Sequence, residues 1–441
     1  MNSIKVGILG LGTVGGGTAN VLQRNAAEIQ RRVGRPIQVV MASVRDIGAQ
    51  RICDCGEIEL SADPYAVVNN PEIDVIVETI GGETLARELI LHAIAQGKHI
   101  VTANKALIAL HGNEIFAAAE AKGVCVLFEA AVAGGISIIK SIREGMSANK
   151  IQMVAGIING TGNFILTEMR DKGRTFADVL AEAQELGYAE ADPTFDVEGI
   201  DAAHKLTILA SLAFGTPLQF EKVVTEGISS LDLRDVSYAR ELGYRIKHLG
   251  IAKLVQGDSG EDELELRVHP TLIPRKRLIA HVEGVMNAVL VKGDAVGTTL
   301  HYGAGAGAEP TASAIVADLV DITRTLNAEP SVRVPHMGFQ ADSIAEIRVK
   351  TADEINSAYY LRIDVNDVPG VMSKLSTIFA QLNISIEAIT QKEPARNESR
   401  VSVIFITQRT LEAQLNNAIE QIEAMPDVCD SVTRIRVEHL D

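Results

Sequence analysis

The sequence predicts an α/β domain with a parallel sheet, then an α+β domain with a mainly antiparallel sheet, and a C-terminal βαββαβ domain. Three patterns support this order: a glycine-rich turn between a strand and a helix at the start, longer strands in the middle, and alternating strands and helices at the end. A chain of 441 residues has room for about three domains. We place these domains at 1–134, 135–303 and 355–441, with a linker at 329–354.

The composition is typical of a globular protein with a sizeable core. Hydrophobic residues make up 46% of the chain and the mean hydropathy is +0.14, which excludes the disordered class. The net charge of -16 argues against general binding of nucleic acid or of an anionic membrane, because both favour basic surfaces. A local basic site for an anionic cofactor remains compatible with this charge.

The four cysteines are interpreted as free thiols in a reducing cytoplasm. Cys53 and Cys55 lack the two-residue spacer of common zinc and thiol redox motifs. The N-terminus shows no signal-peptide pattern, and no run of about 20 apolar residues predicts a membrane span. We therefore expect a cytoplasmic protein that does not cross a membrane.

The first domain begins with an apolar strand, Ile4–Leu9, that leads into a G-x-G-x-x-G turn and a helical pattern. The turn consists of Gly10, Leu11, Gly12, Thr13, Val14 and Gly15. In this strand–turn–helix context the motif predicts a Rossmann-type dinucleotide site. The glycines permit a tight turn and a close backbone approach, and the pyrophosphate would lie at the helix N-terminus.

The residues after the second strand bear on the choice of dinucleotide. NAD-selective sites usually place an acidic residue there for the ribose 2′-hydroxyl, but Arg45 comes first in this chain. A guanidinium suits a 2′-phosphate, so Arg45 favours NADP. The neighbouring Asp46 keeps NAD possible, and an ordinary surface arginine is the alternative interpretation.

Two later strands, predicted at 73–79 and 99–102, place Thr79 and Lys105 at their carboxyl ends. Open α/β sheets bind ligands at this edge, so both residues are expected near the nicotinamide. From the sequence pattern alone, Lys105 could equally be a charge at the start of a helix.

The stretch 183–205 contains two predicted helices joined by an acidic turn. The first ends at Gly187, which suits a left-handed helix stop. The turn carries Glu190 and Asp192, and Asp196 is expected to N-cap the second helix.

Asp201 and Lys205 are four residues apart on this second helix and share one face. A solvated ion pair is the simpler interpretation, worth a few tenths of a kcal/mol. The helix is apolar on nearly every side from Leu206 onward, which predicts burial, and buried charges usually have a partner or a function.

The pattern A-x-x-x-G-Y-A-x-x-D-P-x-x-D-V-x-G-x-D-x-x-x-K at residues 183–205 resembles the signature of homoserine dehydrogenases. This resemblance implies reversible NAD(P)H-dependent reduction of L-aspartate 4-semialdehyde to L-homoserine, in the biosynthesis of threonine, methionine and isoleucine. It implies that Lys205 is the general acid and that Asp201 binds the substrate and orients Lys205. Glu190 and Gly187 would contact the substrate, Glu190 through the ammonium group, and Lys105 would contact substrate and cofactor.

The segment after the strand near residue 126 is irregular and contains glycine, which by spacing alone indicates only a bend. The family resemblance implies a monovalent cation here, typically sodium, held largely by backbone carbonyls. The matching positions are Glu129, Val132, Gly134 and Ile136.

The middle domain shows strands at 151–158, 223–228, 251–255, 264–268 and 285–291, with the polar loop 159–163 plausible at the cleft. The glycine-rich segment 301–307 follows, then a helix. The resemblance implies that residues 304–328 return to the first domain and that Gly303 touches the cofactor. A simple hinge is the alternative.

The tail reads as strand, helix, two strands, helix and strand, a ferredoxin-like order. Its D-x-P-G-V turn from Asp367 and its N-I-S-I from Asn383 resemble an ACT domain, a module that often binds amino acids between paired copies. The resemblance implies threonine as effector and a homo-oligomer, either a dimer or a tetramer. A βαββαβ unit that only dimerises is the alternative.

Two other functions stay open at this point: another NADP-dependent amino-acid oxidoreductase, and a non-enzymatic amino-acid sensor with an ACT domain. The intact Asp201 and Lys205 weigh against the sensor.

Overall fold

The structure is a computed structural model that describes residues 3–257, 259–392 and 400–440. Its strands are β1 Ile4–Leu9, β2 Ile37–Ser43, β3 Glu59–Ser61, β4 Val75–Glu78, β5 His99–Thr102, β6 Val126–Leu127, β7 Ile151–Ile157, β8 Val224–Thr225, β9 Tyr244–Gln256, β10 Asp262–Pro274, β11 Met286–Gly293, β12 Gly297–Ala304, β13 Asn356–Asn366, β14 Ile386–Gln391, β15 Arg400–Thr407, β16 Thr410–Leu411 and β17 Thr433–Val437. Its helices are α1 Thr13–Arg24, α2 Ala26–Val33, α3 Pro64–Asn69, α4 Thr84–Ala95, α5 Lys105–Lys122, α6 Ile138–Lys140, α7 Gly160–Lys172, α8 Phe176–Glu185, α9 Thr194–Val197, α10 Ile200–Phe214, α11 Leu233–Glu241, α12 Ala308–Thr325, α13 Val371–Gln381 and α14 Glu412–Glu423.

The first sheet is parallel and has the strand order β3-β2-β1-β4-β5-β6. Its strands are apolar on both faces, as expected where helices cover both sides. Val6 and Ile8 pack with α1 and α12 on one face, whereas Ile76 and Ile100 pack with α4 and α5 on the other. The second of these clusters continues through α10 into the next sheet, so the nucleotide domain and the middle domain share a core.

The second sheet is mixed and runs β12-β11-β7-β9-β10-β17-β13-β15-β14, with β8 beside β10 and β16 beside β13. Two predicted strands of the middle domain are longer than expected, since β9 and β10 pair over 13 residues each. β8 is much shorter than the predicted 223–228. The edge strand β12 was missed because its sequence, GTTLHYGA, begins and nearly ends with glycine.

The strands of the middle domain and those of the C-terminal domain form one continuous sheet. β17 pairs with β10 in parallel, with Thr271 opposite Arg436 and Leu272 opposite Val437. A shared hydrophobic cluster, which includes Leu272 and Tyr360, fills the junction. The sequence did not predict this junction because strand patterns do not reveal which edge strands join.

Residues 329–354 cross the surface with short 3-10 turns and are anchored at both ends. The guanidinium of Arg333 donates to the carbonyls of Gly123 and Ala328, each at 2.8 Å. Near the other end, Leu264 and Arg348 to Lys350 exchange backbone hydrogen bonds. Among the residues that the structure describes, none of the helices is long and apolar enough to span a bilayer.

Candidate active site

α10 carries the predicted acid–base pair and is buried along most of its length. It begins after Gly199, whose φ of +84° is left-handed and therefore suits glycine. The prediction that Asp196 N-caps this helix was wrong. Asp196 lies in the separate short helix α9, and its Oδ1 accepts a hydrogen bond from Asn159 Nδ2 at 2.7 Å.

Asp201 and Lys205 form a buried pair at the start of α10. Lys205 Nζ donates to Asp201 Oδ2 at 2.6 Å and to the carbonyl oxygen of Ile158 at 2.7 Å. Asn159 Nδ2 also donates to Asp201 Oδ2, at 2.9 Å. The side chains of Lys205 and Asp201 are 12% and 5% exposed, so the solvated-pair interpretation does not hold.

Lys105 completes a group of three charges. It is the first residue of α5, directly after the carboxyl end of β5, and its Nζ lies 3.2 Å from Asp201 Oδ1. The ammonium also lies 5.6 Å from the centre of the Phe195 ring, within cation–π distance. Asp201 therefore holds two ammonium groups, one from each domain.

The electrostatics of this group follow from burial and from the uneven number of charges. Burial alone would raise the pKa of Asp201, but the ammonium groups of Lys205 and Lys105 lower it to about 2. Burial lowers the pKa of Lys205 from its usual 10.5; Asp201 opposes this shift and Lys105 adds to it. A lysine with a lowered pKa can exchange a proton at moderate pH.

Several residues of the site had only a weak sequence signal. Asn159 belongs to a loop that was noted as plausible at the cleft but was not assigned a role, and Phe195 was not singled out. His204 is packed between Phe195 and Phe220, at ring distances of 5.4 and 4.4 Å. Burial lowers the pKa of His204 to about 4, so it is neutral.

The glycine turn has the geometry that the sequence predicts. Gly10 has a φ of +91°, and a Cβ on Gly15 would lie 2.0 Å from the Gly10 carbonyl oxygen. A Cβ on Gly12, by contrast, would meet nothing within 4 Å. The first turn of α1 has neither a side-chain cap nor an acidic residue, so its N–H groups are free for an anion.

Thr79 links this turn to the next strand, because its Oγ1 donates to the Gly10 carbonyl at 2.6 Å. The preceding residue, Glu78, was missed by the sequence analysis. Its buried carboxylate accepts from Thr102 Oγ1 at 2.6 Å and from the amides of Ile80 and Gly81. Glu78 therefore braces the loops at the carboxyl edge where Thr79 and Lys105 lie.

The other predicted cofactor residues lie around the same edge. Arg45 is exposed after β2, and no hydrogen bond or ion pair of its side chain is recorded among the described residues. Gly303 lies near the end of β12, where a Cβ would approach Ile136 at 3.1 Å. α12 then packs on α1, and a Cβ on Gly17 would lie 2.6 Å from the Ala308 carbonyl oxygen.

Glu190 and Gly187 lie on an exposed loop between α8 and α9. The loop is attached to the site by Thr161 Oγ1, which donates to the Tyr188 carbonyl at 2.7 Å. The structure brings Lys105, Asp201 and Lys205 together, but no bond joins the Glu190 side chain to them within the described ranges.

The predicted cation segment forms a buried bend in which Ala133 and Gly134 have φ of +55° and +41°. Both carboxylate oxygens of Glu129 accept backbone amides, from Ile139 at 2.9 Å and Lys140 at 2.8 Å. In the part of the chain that is described, no group of three His, Cys, Asp or Glu residues could hold a metal.

Comparisons with known proteins agree with this geometry. The family profile described as homoserine dehydrogenase matches residues 137–320, its NAD-binding domain matches 10–129, and the ACT domain matches 359–426. Homoserine dehydrogenases of Pseudomonas aeruginosa and Neisseria gonorrhoeae are 62% and 53% identical over 441 residues, covering 100% of both chains in each case.

The crystal structure of a homoserine dehydrogenase from Thiobacillus denitrificans has a TM-score of 0.94 and 60% identity, covering 100% of this chain and 99% of its own. These matches confirm the predicted fold class, the ACT domain and the enzyme class. The chain therefore belongs to the homoserine dehydrogenase family, the NAD(P)-dependent oxidoreductases that the signature at residues 183–205 predicts.

Proposed function

We propose that the chain catalyses the reversible reduction of L-aspartate 4-semialdehyde to L-homoserine with NADPH, and that Lys205 transfers the proton. The observation that supports this most directly is the position of Lys105. Lys105 lies at the carboxyl edge of the parallel sheet, where dinucleotides bind. Its ammonium lies 3.2 Å from Asp201 on the buried helix α10. The acid–base pair is thereby held next to the expected nicotinamide position.

A bound nicotinamide supplies or accepts the hydride at the carbon that interconverts between alcohol and aldehyde. Lys205 has three N–H donors when protonated, and two are used by Asp201 and the Ile158 carbonyl. The third is available to the substrate oxygen. In the direction of reduction Lys205 donates this proton, and in the direction of oxidation the neutral amine accepts it.

The remaining charges hold the substrate and set the state of Lys205. Asp201 stays ionised, orients Lys205, and can accept a hydrogen bond from the substrate. Lys105 contacts the substrate carboxylate or oxygen from the side of the nucleotide domain. Glu190 and Gly187, on the exposed loop, complete the site on the side of the substrate ammonium.

The nucleotide-binding features fit NADP better than NAD. The tight packing of Gly15, the open space at Gly12 and the free amides of α1 suit a pyrophosphate. Arg45 is exposed and has no recorded partner among the described residues, so it is free to pair with a 2′-phosphate. Leu11, Thr13, Val14, Thr79, Lys105 and Gly303 complete the predicted contacts.

A monovalent cation, most plainly sodium, would be held by the bend at Glu129, Val132, Gly134 and Ile136. The carbonyls of Val132 and Gly134 accept no recorded hydrogen bond in the described part of the chain, and such free oxygens suit a hard cation. The Glu129 carboxylate is already bonded to two amides, so this residue would contribute its backbone carbonyl. Comparing thermal unfolding in sodium, potassium and choline chloride at equal ionic strength tests this site.

The ACT domain suggests an amino-acid effector, and the family's place at the branch toward threonine makes threonine the first candidate. A homo-oligomer, dimer or tetramer, would pair two ACT copies. The thiols of Cys53, Cys55, Cys125 and Cys429 are all free, which supports a cytoplasmic location.

The reaction is tested by following absorbance of the reduced nicotinamide with purified protein and L-homoserine. We expect reduction of NADP without added ammonia, with a lower KM for NADP than for NAD. We also expect added threonine to inhibit the reaction. Turnover only with ammonia, or no turnover with homoserine, would contradict the assignment of the substrate. Unchanged rates with threonine would contradict its proposed role as effector and would leave the proposed reaction unaffected.

A further inference from the structure

The chain between β8 and α11 is bonded directly to the turn that leads into the catalytic helix. The amide of Ile228 donates to the carbonyl of Val197 at 2.9 Å, and Ser229 Oγ donates to Glu198 Oε1 at 2.6 Å. A Cβ on Gly227 would lie 2.1 Å from Glu198 Oε2, so the two segments are in close contact. Movement of one segment therefore moves the other.

Glu226, at the start of this segment, is held by two arginines of the C-terminal domain. Arg436 donates through Nη1 to Oε2 at 2.8 Å and through Nη2 to Oε1 at 2.9 Å, while Arg434 Nη2 donates to Oε1 at 3.0 Å. Arg436 is 1% exposed. Burial would raise the pKa of Glu226, but the bonds and charges of Arg436 and Arg434 lower it, so the carboxylate is ionised.

The backbone of Glu226 is fixed as well. Its amide donates to the Val268 carbonyl at 2.8 Å, and its carbonyl lies 2.9 Å from His248 Nε2, which must be the donor. The imidazole of His248 in turn packs against the start of α10, since its Cε1 is 3.0 Å from the position of a Cβ on Gly199. Glu226 is thus connected to the catalytic helix by two routes, the backbone segment and His248.

We propose that Glu226 is a positioning residue through which the C-terminal domain sets the geometry of the substrate site. Arg434 and Arg436 hold the carboxylate, and the segment after Glu226 holds the turn between Asp196 and Asp201. This inference rests on the proposed role of Asp201. Loss of the bonds between Glu226 and the two arginines should displace the substrate-binding turn. The glycine turn, which is in the other domain, should stay in place.

Two buried carboxylates provide matched controls. Glu412 binds the same Arg436, through Nε at 2.9 Å, but it lies within the C-terminal domain and is not bonded to the segment before α11. Asp235 joins the C-terminal domain to α11, accepting from Arg362 Nε at 2.7 Å and Tyr360 Oη at 2.9 Å. The first control tests the loss of a charge beside Arg436, and the second tests general docking between domains.

The experiment compares E226Q, E412Q and D235N in the full-length protein by kcat, KM for homoserine, KM for NADP and melting temperature. E226Q should raise KM for homoserine about ten-fold or more, since misplacement by about 1 Å can cost roughly 100-fold. Its KM for NADP should stay within about two-fold, because the glycine turn lies in the other domain and is not misplaced. E412Q and D235N should lower the melting temperature at least as much as E226Q does, but they should not raise KM for homoserine. R434Q, which removes one of the two arginines, should show a smaller change of the same kind.

An unchanged KM for homoserine in E226Q would overturn the proposal. An equal rise in all three variants that follows their loss of melting temperature would also overturn it, because domain packing alone would then explain the effect. These outcomes are separate from the test of the proposed function, which concerns turnover of the unaltered protein.

Discussion

Replacing Lys205 by alanine should lower kcat in both directions by roughly 10²- to 10⁴-fold, the usual contribution of one acid–base group. Binding of the nucleotide should change little, since within the described part of the chain Lys205 bonds only to Asp201 and the Ile158 carbonyl. The loss should appear in kcat more than in the nucleotide constant.

The structure also indicates that this variant will fold. Without Lys205, Asp201 keeps Lys105 at 3.2 Å and Asn159 at 2.9 Å, so the carboxylate is not left without partners. The Ile158 carbonyl loses its donor, which costs about 1–3 kcal/mol of unfolding free energy. A drop of this size in chemical denaturation, with native-like circular dichroism, is the expected control result.

One further variant separates proton transfer from charge, and a second is a control. Lys205→Arg keeps the positive charge and several donors but does not release a proton in the accessible pH range, so oxidation should remain slow. Lys172→Ala, which removes an exposed lysine paired with Glu168, should behave as unaltered protein. Initial rates at the reduced-nicotinamide absorbance give kcat, and fluorescence titration gives the nucleotide constant. Turnover of Lys205→Ala or Lys205→Arg within a few-fold of the unaltered chain would refute the assignment.

Four other variants test the surroundings of Lys205 and the nucleotide site. Asp201→Asn should shift the rising limb of the oxidation pH profile to lower pH, because Asp201 raises the pKa of Lys205; an unshifted limb would contradict this. In the folded protein the pKa of Asp201 is about 2, below its usual 3.8. The ionised carboxylate therefore stabilises the fold above pH 3.8, and this stabilisation is lost as the pH falls through 2. Asp201→Asn should accordingly lower the free energy of unfolding in urea by about 2 kcal/mol at pH 7 and by less at pH 3. Arg45→Ala should raise the apparent constant for NADP far more than that for NAD in initial-rate assays, and equal effects would exclude phosphate recognition. Gly15→Ala should prevent stable folding, because its Cβ would lie 2.0 Å from a carbonyl oxygen. Gly12→Ala should fold normally and bind nucleotide weakly. Melting curves of both variants, measured with and without nucleotide, test these two expectations.

The sequence predicted best where a residue type answers a local backbone requirement. The glycine turn was predicted because strand, turn and helix follow one another in the chain and Gly10 must adopt a positive φ. The face shared by Asp201 and Lys205 follows from helical spacing alone. The burial of this pair was predicted from the apolar remainder of α10.

The rest depended on contacts between distant segments, which no local pattern encodes. Asp196 was assigned as a cap because its spacing is suitable, but α10 begins only after Gly199, and Asn159, 37 residues away, binds the aspartate. Glu78 bonds to a threonine of the neighbouring strand. The same limit explains why the joining of β10 and β17 was not predicted.

The shared sheet has a consequence for shortened forms of the chain. A protein ending before residue 355 would expose the backbone of Thr271 and Leu272 on β10, an open edge that invites self-association. It would also deprive the buried guanidinium of Arg267 of Glu438, one of its two carboxylates. Removing residues 355–441 should therefore produce an aggregating protein unless a new edge for β10 were designed.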